Sequence, residues 1–336
     1  MISNSVLSQF VDYIVEHARL VNTSGFFNGR AGISLCLFEA SRYLNNIYCE
    51  DQAFNLLQEA LSDSDEDISF ENGLSGIGYV LIYLMRNSFI EADFDEIFGV
   101  KLNKIVRKID EMKELHSEKE TFHYIRIAYF LIELNFIAPN KRLAKYIDFI
   151  LERSAQFLEE GFSKVNDHSG ICSKISLLDN LKIYLKIVDE CRYITPSFNL
   201  LNLYSELYLR GEFVSNYMIG YHLKNIISML KKPYIEKVAI QNKTMALRDI
   251  YIKTMSLSQK IDLFNILLLD KHDEQASLVT LLERDLLQKK GELFNWGILH
   301  EIPRTDSILG YQSGISRYVL YWIYKSSGNM NSQLFL

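Results

Sequence analysis

The chain has 336 residues, 48% of them hydrophobic, with 20 Phe and 20 Tyr, enough for one large core or two of ordinary size. Its net charge of −6 is dispersed, and no block of Lys and Arg is present to contact phosphates, which argues against nucleic acid as a partner. No apolar window reaches the about 18 residues a membrane span needs, the stretch from Met1 to Leu20 lacks a signal-peptide layout, and Cys36, Cys49, Cys172 and Cys191 form no CxxC pair, so the reading is a cytoplasmic protein with no disulfide and no membrane contact.

In chain order, Val6, Leu7, Phe10, Val11, Ile14 and Val15 follow the helical period and predict an amphipathic first helix. A glycine-rich element follows, Gly25-Phe26-Phe27-Asn28-Gly29-Arg30-Ala31-Gly32-Ile33-Ser34, and a similar one spans Phe70-Glu71-Asn72-Gly73-Leu74-Ser75-Gly76-Ile77-Gly78. Ile77 to Leu84 then reads as a helix apolar on all sides, hence buried, while Leu102, Ile105, Val106 and Ile109 mark another one-sided helix. Apolar helical runs continue at Phe122 to Leu134, Phe213 to Leu230 and Ile261 to Leu269. Two further glycine elements are Asn166-Asp167-His168-Ser169-Gly170-Ile171-Cys172 and Gly310-Tyr311-Gln312-Ser313-Gly314-Ile315-Ser316, the latter opening an apolar run to Tyr324. Proline occurs only at positions 139, 196, 233 and 303. Inside a helix each would cost about 3 kcal/mol, so they should mark helix boundaries, with Pro139, Pro196 and Pro233 at starts of amphipathic helices.

The Gly-Ile pairs begin at 32, 76, 170 and 314, separated by 44, 94 and 144 residues. These approximate one, two and three copies of a period near 47, and the three apolar runs that lack the glycine element fall where the missing copies should lie. Seven units result, each a one-sided helix paired with a buried one and each too small to fold alone. The predicted fold is all-α: a closed α/α toroid of seven inner and seven outer helices, forming a single domain over residues 1–336. An open helical solenoid is the competing geometry. Small residues near the start of the buried helices, Ser34, Gly78, Cys172 and Ser316, favour closure because they let helices crowd a shared axis.

Over residues 25 to 84, the Phe-Asn-Gly-x-Ala-Gly-Ile and Glu-Asn-Gly-Leu-Ser-Gly-Ile-Gly segments resemble the lanthionine synthetase C (LanC)-like family, and the resemblance fades beyond residue 85. It implies the same seven-hairpin toroid. Family enzymes join cysteine thiols to dehydrated Ser or Thr in a precursor peptide, using zinc held by two Cys and one His. The family's Trp-Cys-x-Gly and Cys-His-Gly elements are both missing here, since no cysteine follows Cys191. The expectation is therefore a LanC-like protein without a zinc site and without a cofactor. It would bind a peptide or protein partner, such as a precursor peptide or its modifying enzyme, as an accessory in peptide modification. Alternatives are a glycosidase-type toroid using Glu71 and Asp167 as paired carboxylates, and a non-catalytic helical-repeat scaffold.

Closing the toroid would bring the loops before the buried helices to one mouth. Arg30, Glu71, Asn72, Asp167, His168 and Gln312 should then converge on one cavity, where free helix N-terminal N–H groups could hold an anion or carbonyl. Arg30 is expected to pair with Glu71 or with a ligand carboxylate, while Glu71, Asn72 and Asp167 could instead merely cap helices. His168 and Cys172 share a helical face and could ligate a metal with His300 or His123; alternatively, Cys172 fills a buried small-residue slot. Residues 291–310 read as an irregular segment that would carry Trp296 and His300 as a lid or a plug.

Overall fold

The computed structural model describes residues 3–63, 66–115, 125–165, 170–191, 195–230, 232–248, 250–270, 276–299, 308–312 and 314–328. Among them are fourteen α-helices and two short 3-10 turns, with no strand. No described helix is long and apolar enough to cross a membrane. The chain divides into two compact units, one formed by Met1–Glu111 with Ile252–Leu336 and the other by Met112–Tyr251.

In the first unit, helices buried on one stripe alternate with helices buried all round. Helix α1 (Asn4–His17) buries only Leu7, Phe10, Val11 and Ile14, whereas every residue of α2 (Arg30–Leu44) from Ala31 to Ser41 is buried. Fourteen residues are too few for α1 to persist alone; its four buried side chains, each contributing roughly 1.5–3 kcal/mol, supply what propensity does not. Helix α3 (Ile47–Ser62) is again one-sided, burying Cys49, Ala53, Leu56, Leu57 and Ala60, and α4 (Leu74–Arg86) is buried from Leu74 to Leu84. The α2–α3 turn is closed by two asparagines: Asn45 adopts the left-handed conformation at φ 53°, and Asn46 caps α3 by accepting from the Cys49 N–H. Helix α5 (Phe94–Leu115) begins in this unit, and α12 (Leu257–Asp270), α13 (Ala276–Leu299) and α14 (Ile315–Ser327) complete it.

The buried helices lie side by side in the order α12, α14, α2, α4, so the last described helix packs directly on the first hairpin. Helix α14 is buried from Ile315 to Tyr324, including Trp322 and three tyrosines with little or no exposure. Three ion pairs fasten this end of the chain: Lys260 of α12 to Asp285 of α13 at 2.6 Å, Arg317 of α14 to Asp262 of α12, and Lys325 of α14 to Glu283 of α13.

The second unit has two layers. Helices α6 (Ile125–Ile137), α8 (Ile171–Cys191) and α10 (Tyr217–Leu230) pack in sequence, and α7 (Lys141–Ser163), α9 (Phe198–Leu209) and α11 (Pro233–Arg248) pack in sequence against them. Proline behaves as the sequence requires: Pro233 is the first residue of α11, and Pro139 and Pro196 each precede a side-chain cap, Asn140 on α7 and Ser197 on α9. Pro303 lies outside the described residues.

Two expectations are overturned. Residues 291–299 are not irregular but continue α13 as helix, because Leu293, Phe294 and Ile298 extend the helical apolar spacing that Gly291 and Gly297 mask. The element at Gly170 does not open a buried helix either. Residues 170–173 are exposed, Cys172 included, and a methyl group at Gly170 would meet nothing within 4 Å. Its Ser-Gly-Ile core is a likeness of letters, without the crowding that demands glycine elsewhere.

Candidate functional site: the glycine loops and the adjoining groove

Three loops of the first unit end in a glycine that caps a buried helix: Gly29 before α2, Gly73 before α4 and Gly314 before α14. None of the three helices has a side-chain cap. The loops cap the helices with their own carbonyls instead. Arg30 N–H donates to Thr23 O at 2.9 Å, and Leu74 N–H donates to Asp67 O at 2.8 Å, an identical link 44 residues on. Ala31 and Gly32 N–H donate to Ser24 and Gly25 carbonyls. The free helix N-termini expected at this face are thus already occupied at α2 and at the first residue of α4, which removes them as an anion-binding device.

Folding the loop back onto its helix leaves no room for side chains. A Cβ on Gly32 would lie 1.8 Å from Phe26 O, one on Gly76 2.1 Å from Phe70 O, and one on Gly73 2.2 Å from Asp67 O. Gly314 meets Ile308 O and Gly310 N, as Gly73 meets Asp67 O and Ser69 N. Gly314 therefore corresponds to Gly29 and Gly73 rather than to Gly32 and Gly76, and the Gly-Ile register of the fourth copy is shifted by three residues. In the corrected register Phe26, Phe70 and Tyr311 are equivalent, and they cluster: ring centroids are 4.2 Å apart for Phe26–Tyr311 and 5.5 Å for Phe26–Phe70. The sequence carried the signal for this, a small residue followed by an aromatic at 25–26, 69–70 and 310–311.

Two further sets of equivalents make contact. Gln312 N–H donates to Phe27 O at 2.8 Å, and Phe27 N–H donates to Glu71 O at 2.8 Å, so a backbone seam joins the last loop to the first and the first to the second. Ten residues beyond each cap glycine stand Glu39, Tyr83 and Tyr324. The Tyr83 hydroxyl donates to Glu39 and lies 2.9 Å from that of Tyr324. Burial first, and the Glu39 carboxylate beside it, push the Tyr83 phenol far above its ordinary value. Where the first two repeats hold Gly32 and Gly76, the last holds Arg317, buried against Asp262 with its guanidinium 5.8 Å from the Tyr311 ring.

Of the residues expected at the mouth, the seam brings Glu71, Asn72 and Gln312 to one face. Gln312 and Asn72 are exposed there and Glu71 is half-buried. Arg30 starts from the same loop but its side chain turns away. Its Nε sits 3.2 Å from Glu59 Oε2 on α3, not against Glu71. The reason is placement: as the first residue of α2, Arg30 projects toward α3, the helix that α2 packs on most closely. Asp167, His168 and His300 lie outside the described residues, as does the side chain of Trp296, whose backbone belongs to α13. Capping by Asn72 or Glu71 is excluded for α4, whose cap is Gly73.

Arg30 enters a groove of about 810 Å³ running beside α3 and lined also by Arg19, Glu59 and Asp63. Asp63 accepts from the Ser24 hydroxyl, which ties the groove wall to the first glycine loop. Nothing in the sequence periodicity marked Glu59 or Arg19, because both lie on solvent-facing helical positions that read as ordinary surface. In the second unit, the sequence pattern likewise gives no sign of His222 on α10. Its Nδ1 is 2.8 Å from Asp189 Oδ2 on α8, which also accepts from Asn225 at 2.9 Å. The other ring nitrogen is sealed from solvent with no hydrogen-bond partner among the described residues, so the pair binds two helices together rather than facing a substrate. No family model, no curated protein and no solved structure matches this chain.

Proposed function

We propose that the chain is a zinc-independent, LanC-like α/α toroid that binds a peptide or protein partner at the face carrying Glu71, Asn72 and Gln312, as an accessory in peptide modification. The observation that carries this reading is the backbone seam Gln312–Phe27–Glu71. It fixes three equivalent loops in register through main-chain groups, so that the exposed Asn72 and Gln312 stand on a rigid platform, the arrangement from which loop residues bind. Closure of the ring is supported by the packing of α14 on α1 and α2, and the kinship by glycine loops recurring in the family's style. Of the two carboxylates in the glycosidase alternative, Asp167 lies outside the described residues.

The test is selection of a random peptide library on the immobilised protein, with a Glu71→Lys, Gln312→Lys double variant as counter-target. Peptides enriched on the native protein should lose binding at least tenfold on the variant, while both proteins melt within a few degrees of each other. Enrichment no better than on an unrelated helical protein would refute the proposal.

A further inference from the structure

The groove beside α3 lies apart from the loop face that carries Asn72 and Gln312. We infer that it binds a carboxylate carried on a short extended peptide, with Arg30 as anchor and Arg19 as its assistant. Arg30 is held but under-used. Its side chain is 22% exposed, its Nε lies 3.2 Å from a half-exposed Glu59 carboxylate, and that nitrogen is buried without a properly aligned hydrogen bond. Its terminal nitrogens have no partner among the described residues. Arg19 makes only a long 3.4 Å contact, from Nη2 to Gln52 Oε1. A guanidinium offers a planar fork that one carboxylate can fill with two parallel bonds; Glu59 supplies one misaligned contact, so an incoming carboxylate can displace it.

The rest of the groove specifies the chain that bears this carboxylate. Gln52, Asn55 and Gln58 lie along the groove on α3, and the amides of Asn55 and Gln58 make no hydrogen bond among the described residues. Each amide offers both a donor and an acceptor, which is what a peptide main chain requires. From Gln52 to Asp63 the helix advances about 16 Å at 1.5 Å per residue, the span of about five extended residues at 3.3 Å each. The two carboxylates in the groove balance the two arginines. Glu59 and Asp63 therefore repel a doubly charged phosphate about twice as strongly as a singly charged carboxylate, and the two-bond fork of Arg30 fits the carboxylate.

The experiment titrates the full chain with three peptides by calorimetry: acetyl-Gly-Ser-Glu-Ser-Gly-amide, its Gln-for-Glu analogue, and that analogue with a free C-terminal carboxylate. The Glu peptide, the free-carboxylate peptide or both should bind, which tells a side-chain source from a chain terminus, and the neutral analogue and inorganic phosphate should not. Arg30→Gln should weaken binding at least tenfold and Arg19→Gln by a smaller factor. Glu59→Gln should tighten it several-fold, because the internal competitor is gone; a residue that merely shapes the groove would not do so. Binding of the neutral analogue as tight as the best carboxylate peptide, or indifference to Arg30→Gln in a protein with unchanged circular dichroism, overturns the inference. So do weaker binding by Glu59→Gln and silence of both carboxylate peptides up to about 5 mM, beyond the weak millimolar end of the affinity scale.

Discussion

At the scale of single residues, glycine identity separates real repeats from look-alikes. The carbonyl that Gly32 faces belongs to a backbone already pinned by the seam at Phe27, so it cannot retreat from a methyl group placed 1.8 Å away. Gly32→Ala should destabilise the protein by about 3 kcal/mol or more, in the range of severe overpacking. Gly170→Ala meets open space and no positive φ, but the Gly170 carbonyl accepts from the Lys174 N–H at the start of α8, so the change should cost at most about 1 kcal/mol, as for Ala at a helix N-cap. Denaturant melts of the two variants check this directly; equal effects would dissolve the distinction. Residue spacing alone exposed Gly29, Gly32, Gly73 and Gly76 as special. It misplaced Gly314 because a Gly-Ile match is cheap in letters, whereas the aromatic after Gly310 records the packing that actually repeats.

Elements were the most legible level, since a helix buried all round and a helix buried on one stripe differ in composition as well as in period. The runs at Phe122–Leu134, Phe213–Leu230 and Ile261–Leu269 hold α6, α10 and α12 without a Gly-Ile element to announce them. What periodicity could not reveal is how polar residues on such helices are answered across space. Lys260 is 1% exposed yet sits in an apolar helix; its partner Asp285 comes from α13, and no local pattern links the two. Replacing Asp285 by Asn would strand that ammonium, and because Asp285 keeps 24% exposure the cost should fall near the low end for a broken buried pair, about 3 kcal/mol. Adding Lys260→Met should recover much of the loss, as measured by urea unfolding of the single and double variants. Failure of the second change to rescue the first would show that Lys260 is solvated after all.

For the molecule as a whole, the most uniform electrostatic feature is its stock of buried phenols. Burial raises Tyr83, Tyr311, Tyr318, Tyr321 and Tyr324 in the first unit and Tyr184 and Tyr204 in the second. A group whose proton is held more tightly in the folded state stabilises fully below its unfolded pKa, near 10, and loses that contribution as pH rises above it. Each such phenol removes about 1.4 kcal/mol per pH unit beyond that point. The protein should therefore unfold cooperatively between pH 10 and about 12, with phenolate absorbance appearing together with the loss of helical circular dichroism. Phenolate signal running well ahead of helix loss would mean these rings are reached by solvent in the native state.

The pairing of the first loops with the last has a consequence for how the chain is made. Cys36 of α2 donates to Ser316 O, 280 residues away, and Tyr83 meets Tyr324 across 241. A ribosome adding about 5–20 residues per second leaves the first hairpins without these neighbours for roughly ten to sixty seconds. During that wait Phe26, Phe70 and the apolar flanks of α2 and α4 have no Tyr311 or α14 to cover them, while Met112–Tyr251 emerges as one uninterrupted stretch able to assemble first. Synthesis thus passes through a stage in which the apolar side chains of the first glycine loops wait uncovered, and the emergence of Tyr311 and α14 completes the core they belong to.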